Sequence, residues 1–175
     1  LNKILQDFHS LGYKITYHLY HAEYYGVPQT RERVIFVGTG EGLPSFVPPK
    51  PCLFTPVTAY EALHDLEAHP LDKSISHVWS NAKVSGEQGN RRLIADRPGY
   101  TIRAECHGNI QFHYALPRRI SMREAARIQS FPDSFSFPCG LRETERQIGN
   151  AVPPVLARHI ANSVKNVILG SMNVV

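Results

Sequence analysis

Residues 25–38 read Tyr-Gly-Val-Pro-Gln-Thr-Arg-Glu-Arg-Val-Ile-Phe-Val-Gly, and they restrict the fold more than any other stretch. Val34 to Val37 is a short apolar, β-branched run closed by Gly38. Such a run is expected to be a strand buried on both faces, as in the middle of an α/β sheet. Gln29, Arg31 and Arg33 stand at i, i+2 and i+4 just ahead of it. In an extended chain their side chains share one face, so an amide and two guanidiniums reach the rim of a sheet together. There they can hold an anion or the polar edge of a base. The same residues also suit a strand entered through a polar, solvated turn.

The order of elements around this stretch is that of an α/β protein. Leu1, Ile4, Leu5, Phe8 and Leu11 form the apolar side of an amphipathic helix over 1–10, ended by Leu11-Gly12. Tyr13 to Tyr20 alternates as a strand, with Ile15, Tyr17 and Leu19 on one face. Helix, strand, loop, strand follow in turn. Beyond Gly42 the texture changes, with Pro44, Pro48, Pro49, Pro51 and Pro56 marking a rigid crossing and a domain boundary. A short helix over Thr58–Leu66 follows. Residues 70–117 show little periodicity, apart from β-like pieces at Tyr100–Arg103 and Ile110–Tyr114. Loop-rich polar segments of this kind usually carry binding residues. Ser121 and Glu124 form a capping-box pair that opens a helix through Gln129. Another helix spans about 141–147, and Gly149-Asn150 precedes a final helix opened by Pro153 and Pro154. Its apolar stripe is Leu156, Ile160, Val164, Val167 and Ile168. Gly-Asn ahead of a helix brings backbone N–H groups close to whatever docks there.

Charge separates classes of partner. The 175 residues carry a net charge of +4 and a pI near 9.1, a mild lean toward polyanions. The surplus is concentrated: eight Arg and no Lys lie between Arg91 and Arg127, against Asp96, Glu105 and Glu124. Arg in place of Lys favours bidentate contacts to phosphate or guanine. A solvated helix face with structural ion pairs is the other reading of the same cluster. Cys52, Cys106 and Cys139 are too few and too widely spaced for a disulfide framework or a zinc site, and the scattered His lack ligand spacing. A reducing compartment is expected, with no metal. No apolar run is long enough to span a bilayer.

Three blocks, taken in order, resemble one family. Gly26-Val-Pro-Gln-x-Arg-x-Arg-Val34 is similar to the Gln-x-Arg-x-Arg motif of DNA cytosine-5 methyltransferases. Arg119-Ile-Ser-x-Arg-Glu-Ala-Ala-Arg-Ile-Gln-Ser-Phe-Pro-Asp133 resembles their penultimate motif, and Gln147-Ile-Gly-Asn-Ala-Val-Pro-Pro154 their last. The gap between the first two is where the family keeps its target-recognition region. The resemblance covers nearly the whole chain but only the C-terminal part of the family pattern. The Pro-Cys nucleophile, the Glu-Asn-Val carboxylate and the Phe-x-Gly-x-Gly loop for S-adenosylmethionine have no counterpart here. The family places all of them upstream of the Gln-x-Arg-x-Arg block. Pro51-Cys52 and Pro138-Cys139 read Pro-Cys but fall after that block, and neither has a sequence neighbour that resembles an activating base.

The resemblance implies a partial Rossmann-like, S-adenosylmethionine-dependent methyltransferase domain with a small, irregular, β-rich target-recognition domain. Residues 1–42 would belong to the catalytic domain and 43–147 to the recognition domain, with 148–175 returning to the catalytic domain. It implies that Arg33 faces the flipped cytosine. Arg31 would steady a phosphate or the nucleophile loop, and Gln29 would hold the segment in place. Asn150, Ala151 and Val152 would line the S-adenosylmethionine site. Thr101 would be set against double-stranded DNA, with Arg91, Arg92, Arg97, Arg103, His107, Asn109 and Gln111 as candidate base and phosphate contacts. The chain is then expected to be a cut piece or one subunit of a split restriction-modification enzyme. It would act on bacterial cytoplasmic DNA and be inactive without an N-terminal catalytic half. A stand-alone DNA-binding module without catalysis is the alternative.

Overall fold

The computed structural model describes residues 1–81, 91–104 and 111–172. Helix α1 (Asn2–Ser10) leads into strand β1 (Lys14–His21), then a 3-10 turn at Ala22–Tyr25 and strand β2 (Glu32–Thr39). After a long crossing come α2 (Ala59–Leu63), α3 (Met122–Ile128), α4 (Leu141–Asn150) and α5 (Pro154–Met172). The helix starts follow local chemistry. Thr58 and Glu61 close a capping box on α2, and Ser121 and Glu124 close the expected one on α3. Gly12 ends α1 at φ +83°, where a side chain would be strained.

β1 and β2 pair antiparallel, with Lys14 opposite Thr39 and His21 opposite Glu32. This changes the expectation for Val34–Val37. The strand is longer than that run and is not buried on both faces: Val34 is 51% exposed and Phe36 37%. A two-stranded sheet packs its alternate residues against the body and leaves the others open. Ile35 packs on a cluster of Tyr20, Ala22, Tyr25, Val27 and Leu156, joined by Val155 and Ile160 of α5. Leu1, Ile4, Tyr17, Leu19, Val34 and Phe36 line an open apolar groove on the other side, about 540 Å³ in volume.

A second cluster holds α2, α3 and α4 together. Ala59, Leu63, Leu93, Ile102, Ile120, Met122, Ala125, Ala126, Ile128, Phe137 and Ile148 are buried in it. Of the expected β-like pieces, Ile110–Tyr114 contributes single bridges at Phe112, with Arg92 and with Arg119, in place of a strand, and Tyr100–Arg103 contributes none; Gln29 bridges Gly99 just ahead of it. Ile110 lies outside the described residues.

Candidate functional site

The two clusters meet at Gln29 and Arg31. Backbone bonds set the segment first: Gly99 N donates to Pro28 O (3.0 Å) and Thr30 N to Gly99 O (2.8 Å). Thr101 Oγ1 then donates to Thr30 O at 2.7 Å. Residues 28–31 and 99–102 thus run side by side. Gln29 is fully buried. Its Oε1 accepts from Ile102 N at 3.0 Å, and its Nε2 donates to Ile128 O at 3.2 Å and to Gln129 Oε1.

Arg31 closes the arrangement. Its Nη1 donates to Ile102 O at 3.0 Å, and its Nη2 to Gly149 O (3.2 Å) and Ala151 O (3.4 Å). Gln129 Nε2 donates to Ile148 O (3.0 Å) and Ala151 O (2.8 Å). The last carbonyls of a helix have no intrahelical donors and carry partial negative charge. A cation and an amide from distant segments satisfy them at α4. Burial, with a smaller contribution from the Arg33 charge, pushes the Arg31 guanidinium down to about 10, which leaves it protonated at neutral pH. Gly149 is required by space: a Cβ there would lie 2.4 Å from Arg103 C and from Ala104 N. The backbone of 103–104 therefore rests directly on the last turn of α4.

Two expectations change at this point. Gln29, Arg31 and Arg33 do not form one open anion grip. The first two are buried against carbonyls, and only Arg33 is exposed. Its Nη1 bonds the neighbouring Glu32 O, and no carboxylate pairs with it among the described residues. Residues 29–31 precede β2, so the alternation of a strand does not govern them. Gly149 and Asn150 also belong to the end of α4, so the backbone there presents acceptors that Arg31 and Gln129 occupy, not free N–H donors. Asn150 and Val152 are exposed and Ala151 is half-buried. The Asn150 amide makes no hydrogen bond among the described residues, so it remains available to a ligand.

In the recognition region, Arg91, Arg92, Arg97 and Arg103 are exposed. Arg91 lies over the Tyr100 ring at 5.6 Å, and Arg92 Nη1 holds His113 O at 2.8 Å and Leu116 O at 3.2 Å. Gln111 is corrected as a DNA contact: it is buried, and its amide donates to Tyr100 O at 2.8 Å. His107 and Asn109 lie outside the described residues. The remaining arginines of the cluster are framework. Arg118 grips buried Glu124 through two bonds, 2.8 and 2.7 Å, and stacks 4.3 Å from the Trp79 ring. Arg123 caps Ile75 O, Pro132 O and Phe135 O. Arg127 joins Asp65 to Asp133. Arg119 lies over the Phe112 ring at 5.4 Å. Sequence reasoning passed over Gln129, although it stands inside the second motif block, and read Gly149 as a source of backbone N–H donors, not as the point of close contact with residues 103–104.

Comparison with known proteins identifies relatives of the chain. The profile of the C-5 cytosine-specific DNA methylase family covers residues 1–92 and 55–166. The chain is 34% identical to Type II methyltransferase M.BbvI of Brevibacillus brevis, over 92% of its own length and 52% of that protein. It is 33% identical to Type II methyltransferase M.MthTI of Methanothermobacter thermautotrophicus, over 98% and 62%. The chain thus spans about half to three-fifths of these relatives. Among solved structures, a putative DNA modification methyltransferase encoded within an E. coli prophage superposes with a TM-score of 0.71. That match has 23% identity and covers 96% of this chain and 64% of that one. S. pombe Dnmt2 methyltransferase superposes at 0.52 with 14% identity, over 98% of this chain and 61% of that one. At these identities the structural likeness speaks for the fold, while the profile and the sequence relatives speak for descent. On that evidence the chain belongs to the C-5 cytosine-specific DNA methylase family.

Proposed function

We propose that this chain is the C-terminal portion of a DNA cytosine-5 methyltransferase. It contributes target recognition, stabilisation of a flipped cytosine and part of the S-adenosylmethionine site, and an N-terminal half, in the same polypeptide or a separate subunit, contributes the nucleophile. The observation that carries the reading is the hydrogen-bonded junction of Gln29, Arg31, Gln129 and Gly149. It ties all three motif blocks into one unit and leaves Arg33 and Asn150 exposed beside it. Residues 1–42 and 148–175 form the catalytic side and 43–147 the recognition side. The division of the core into two clusters supports that assignment, with Ile148 the one boundary residue that packs in the recognition-side cluster.

Each residue then has a physical task. A cytosine must leave the stack before its C6 can be attacked, at a cost of roughly a few kcal/mol. Exposed Arg91, Arg92, Arg97 and Arg103, with Thr101 beside them, offset that cost through the DNA backbone and base edges. Attack at C6 drives negative charge onto the ring, and the exposed Arg33 cation stabilises that charge. Arg31 and Gln29 act as positioning residues that hold β2 against the recognition segment. S-adenosylmethionine, when bound, supplies the methyl group. Asn150, Ala151 and Val152 would hold it, and the exposed Asn150 amide, which makes no hydrogen bond among the described residues, suits a polar ligand. DNA in a bacterial cytoplasm is the proposed setting. No described helix is long and apolar enough to cross a membrane.

The test is complementation. The chain is incubated with duplex DNA and labelled S-adenosylmethionine, with and without the N-terminal half of a relative. Methylation of cytosine only in the mixture is expected. Tight, sequence-selective binding by the chain alone, with no methylation on complementation, would replace this reading with a stand-alone DNA-binding module. In the complemented enzyme, Arg33→Ala is expected to lower turnover far more than DNA affinity. Equal losses in both would make Arg33 a positioning residue.

A further inference from the structure

Pro51-Cys52 lies outside every motif block, and the fold gives it a partner 107 residues away. Cys52 N and Leu53 N both donate to Tyr24 O, at 3.0 and 3.1 Å, while Tyr25 Oη donates to Pro49 O at 2.9 Å. These bonds lay the crossing against the 3-10 turn and the early part of α5. There the exposed Cys52 Sγ stands 3.7 Å from His159 Nε2 and 3.6 Å from Tyr24 O. The Tyr25 ring packs edge-on against the His159 imidazole, with centroids 5.6 Å apart, and fixes its position. A thiol has one proton for these two acceptors. Only the imidazole can remove that proton, and the resulting thiolate is the reactive species.

Cys139 is an internal reference. It is also exposed, but its Sγ accepts from Gln147 Nε2 at 3.4 Å and meets no imidazole among the described residues.

The geometry points to Cys52 and His159 as a thiol–imidazole modification site for small-molecule disulfides, apart from the methylation residues and independent of the function proposed above. His159 accepts the Cys52 proton. The thiolate attacks one sulfur of the disulfide, and the reagent S–S bond breaks as the mixed disulfide forms on Cys52. The departing thiolate takes the proton from the imidazolium. The Cys52 sulfur is oxidised and the leaving thiol is the reduced product. The adduct sits on the segment that Tyr24 holds, directly ahead of Gly26. Gly26 itself is fixed at φ +83° between Leu53 and Val155, so modification bears on the approach to Gln29.

The experiment treats the folded chain with oxidised glutathione at neutral pH and follows each cysteine by peptide-resolved mass spectrometry. Cys52 is expected to form its mixed disulfide roughly tenfold faster than Cys139, and the ratio should collapse toward one in urea. His159→Phe keeps a ring against Tyr25 but removes the base; His159→Asn removes both. Either variant, once its circular dichroism matches the parent, should bring Cys52 down to the Cys139 rate. Equal rates in the folded parent, or a Cys52 advantage that survives both substitutions or persists in urea, would overturn the assignment. The parent-against-urea comparison decides the matter even if neither variant folds.

Discussion

The wedge built on α3, residues 118–133, and the surface segment 91–103 are equally rich in arginine and use it in opposite ways. In the wedge, Arg118, Arg123 and Arg127 are bound to Glu124, to backbone carbonyls and to two aspartates. On the segment, Arg91, Arg92, Arg97 and Arg103 stay exposed. The lesson is that a cluster of positive charge in sequence mixes two physical roles. One kind of guanidinium replaces missing donors in an irregular fold, since its planar fork serves several acceptors at once. The other kind remains open to a polyanion. Substitution should therefore separate the regions sharply: stability falls in one and DNA binding changes in the other.

The largest effect belongs to the junction that joins them. Arg31→Met would leave Ile102 O and Gly149 O without donors in a buried place. A loss on the order of 4 kcal/mol is expected, read as a shift in the urea midpoint. Gly149→Ala tests the same junction by space alone, because its Cβ must displace the 103–104 backbone. If Arg31→Met melts like the parent, the junction does not bind the two clusters together.

Next is the wedge itself. Glu124→Gln abolishes the ion pair with Arg118 while keeping the shape. It is expected to cost about 3 kcal/mol, since Arg118 is then left with little solvent and no carboxylate. Conversely, Arg127→Gln acts on pairs whose carboxylates are half-exposed, so about 1 kcal/mol is expected.

Acidity should weaken the wedge before the surface segment. Burial holds the His77 and His113 imidazoles below their ordinary value of 6.5, although Glu124 pulls both upward. The unfolded chain then takes up protons that the fold refuses. Their contribution is complete above pH 6.5 and declines as pH falls below it. Glu145 works in the other direction. Burial raises its carboxyl to about 7 against the pull of Arg119 and Arg142. The fold favours the neutral acid, so its contribution is present below 4.5, the ordinary glutamate value, and is lost as pH rises through about 7. The two trends oppose each other between about pH 5 and about pH 7, so thermal melts of the parent should change little there and be level above about pH 8. Glu145→Gln removes one side of that balance and should leave a melting temperature that climbs from about pH 5 to neutrality. A level profile in Glu145→Gln would show that the two histidine burials do not reach the global transition.

How much of this could be read in the residues depends on the range of the interaction. Caps, turns and the end of α1 were legible because they are settled within four residues, as Ser121 with Glu124 shows. The exposed face of β2 was not legible. Val34 and Phe36 have the composition of a core strand, and composition does not tell how many strands stand beside it. Gln29 and Arg31 were readable as important but not as buried, because their partners Ile102 and Gly149 lie 71 or more residues away. Gln111 failed for the same reason: an amide in a polar loop suits base contact as well as it suits Tyr100 O. The exposure of Asn150 followed from α4 running through residue 150, which the short apolar periodicity of 141–147 understated.

The smallest stability effect, and the sharpest contrast with the wedge, is expected on the surface segment. Arg91, Arg97 and Arg103 make no ion pair among the described residues, so each change to Gln should move stability by under about 0.5 kcal/mol. Arg92 should cost slightly more, because it holds His113 O and Leu116 O. DNA binding by the complemented protein is where these residues should register. Each phosphate contact removed lowers the slope of log affinity against log salt by about 0.9. A residue that reads a base changes sequence preference and leaves that slope nearly unaltered. Arg103 is the informative member, since its backbone lies on Gly149 while its side chain is exposed and makes no ion pair among the described residues. If Arg103→Gln changes neither the slope nor the preference, its charge is idle and the 101–104 segment matters to this protein through its backbone alone.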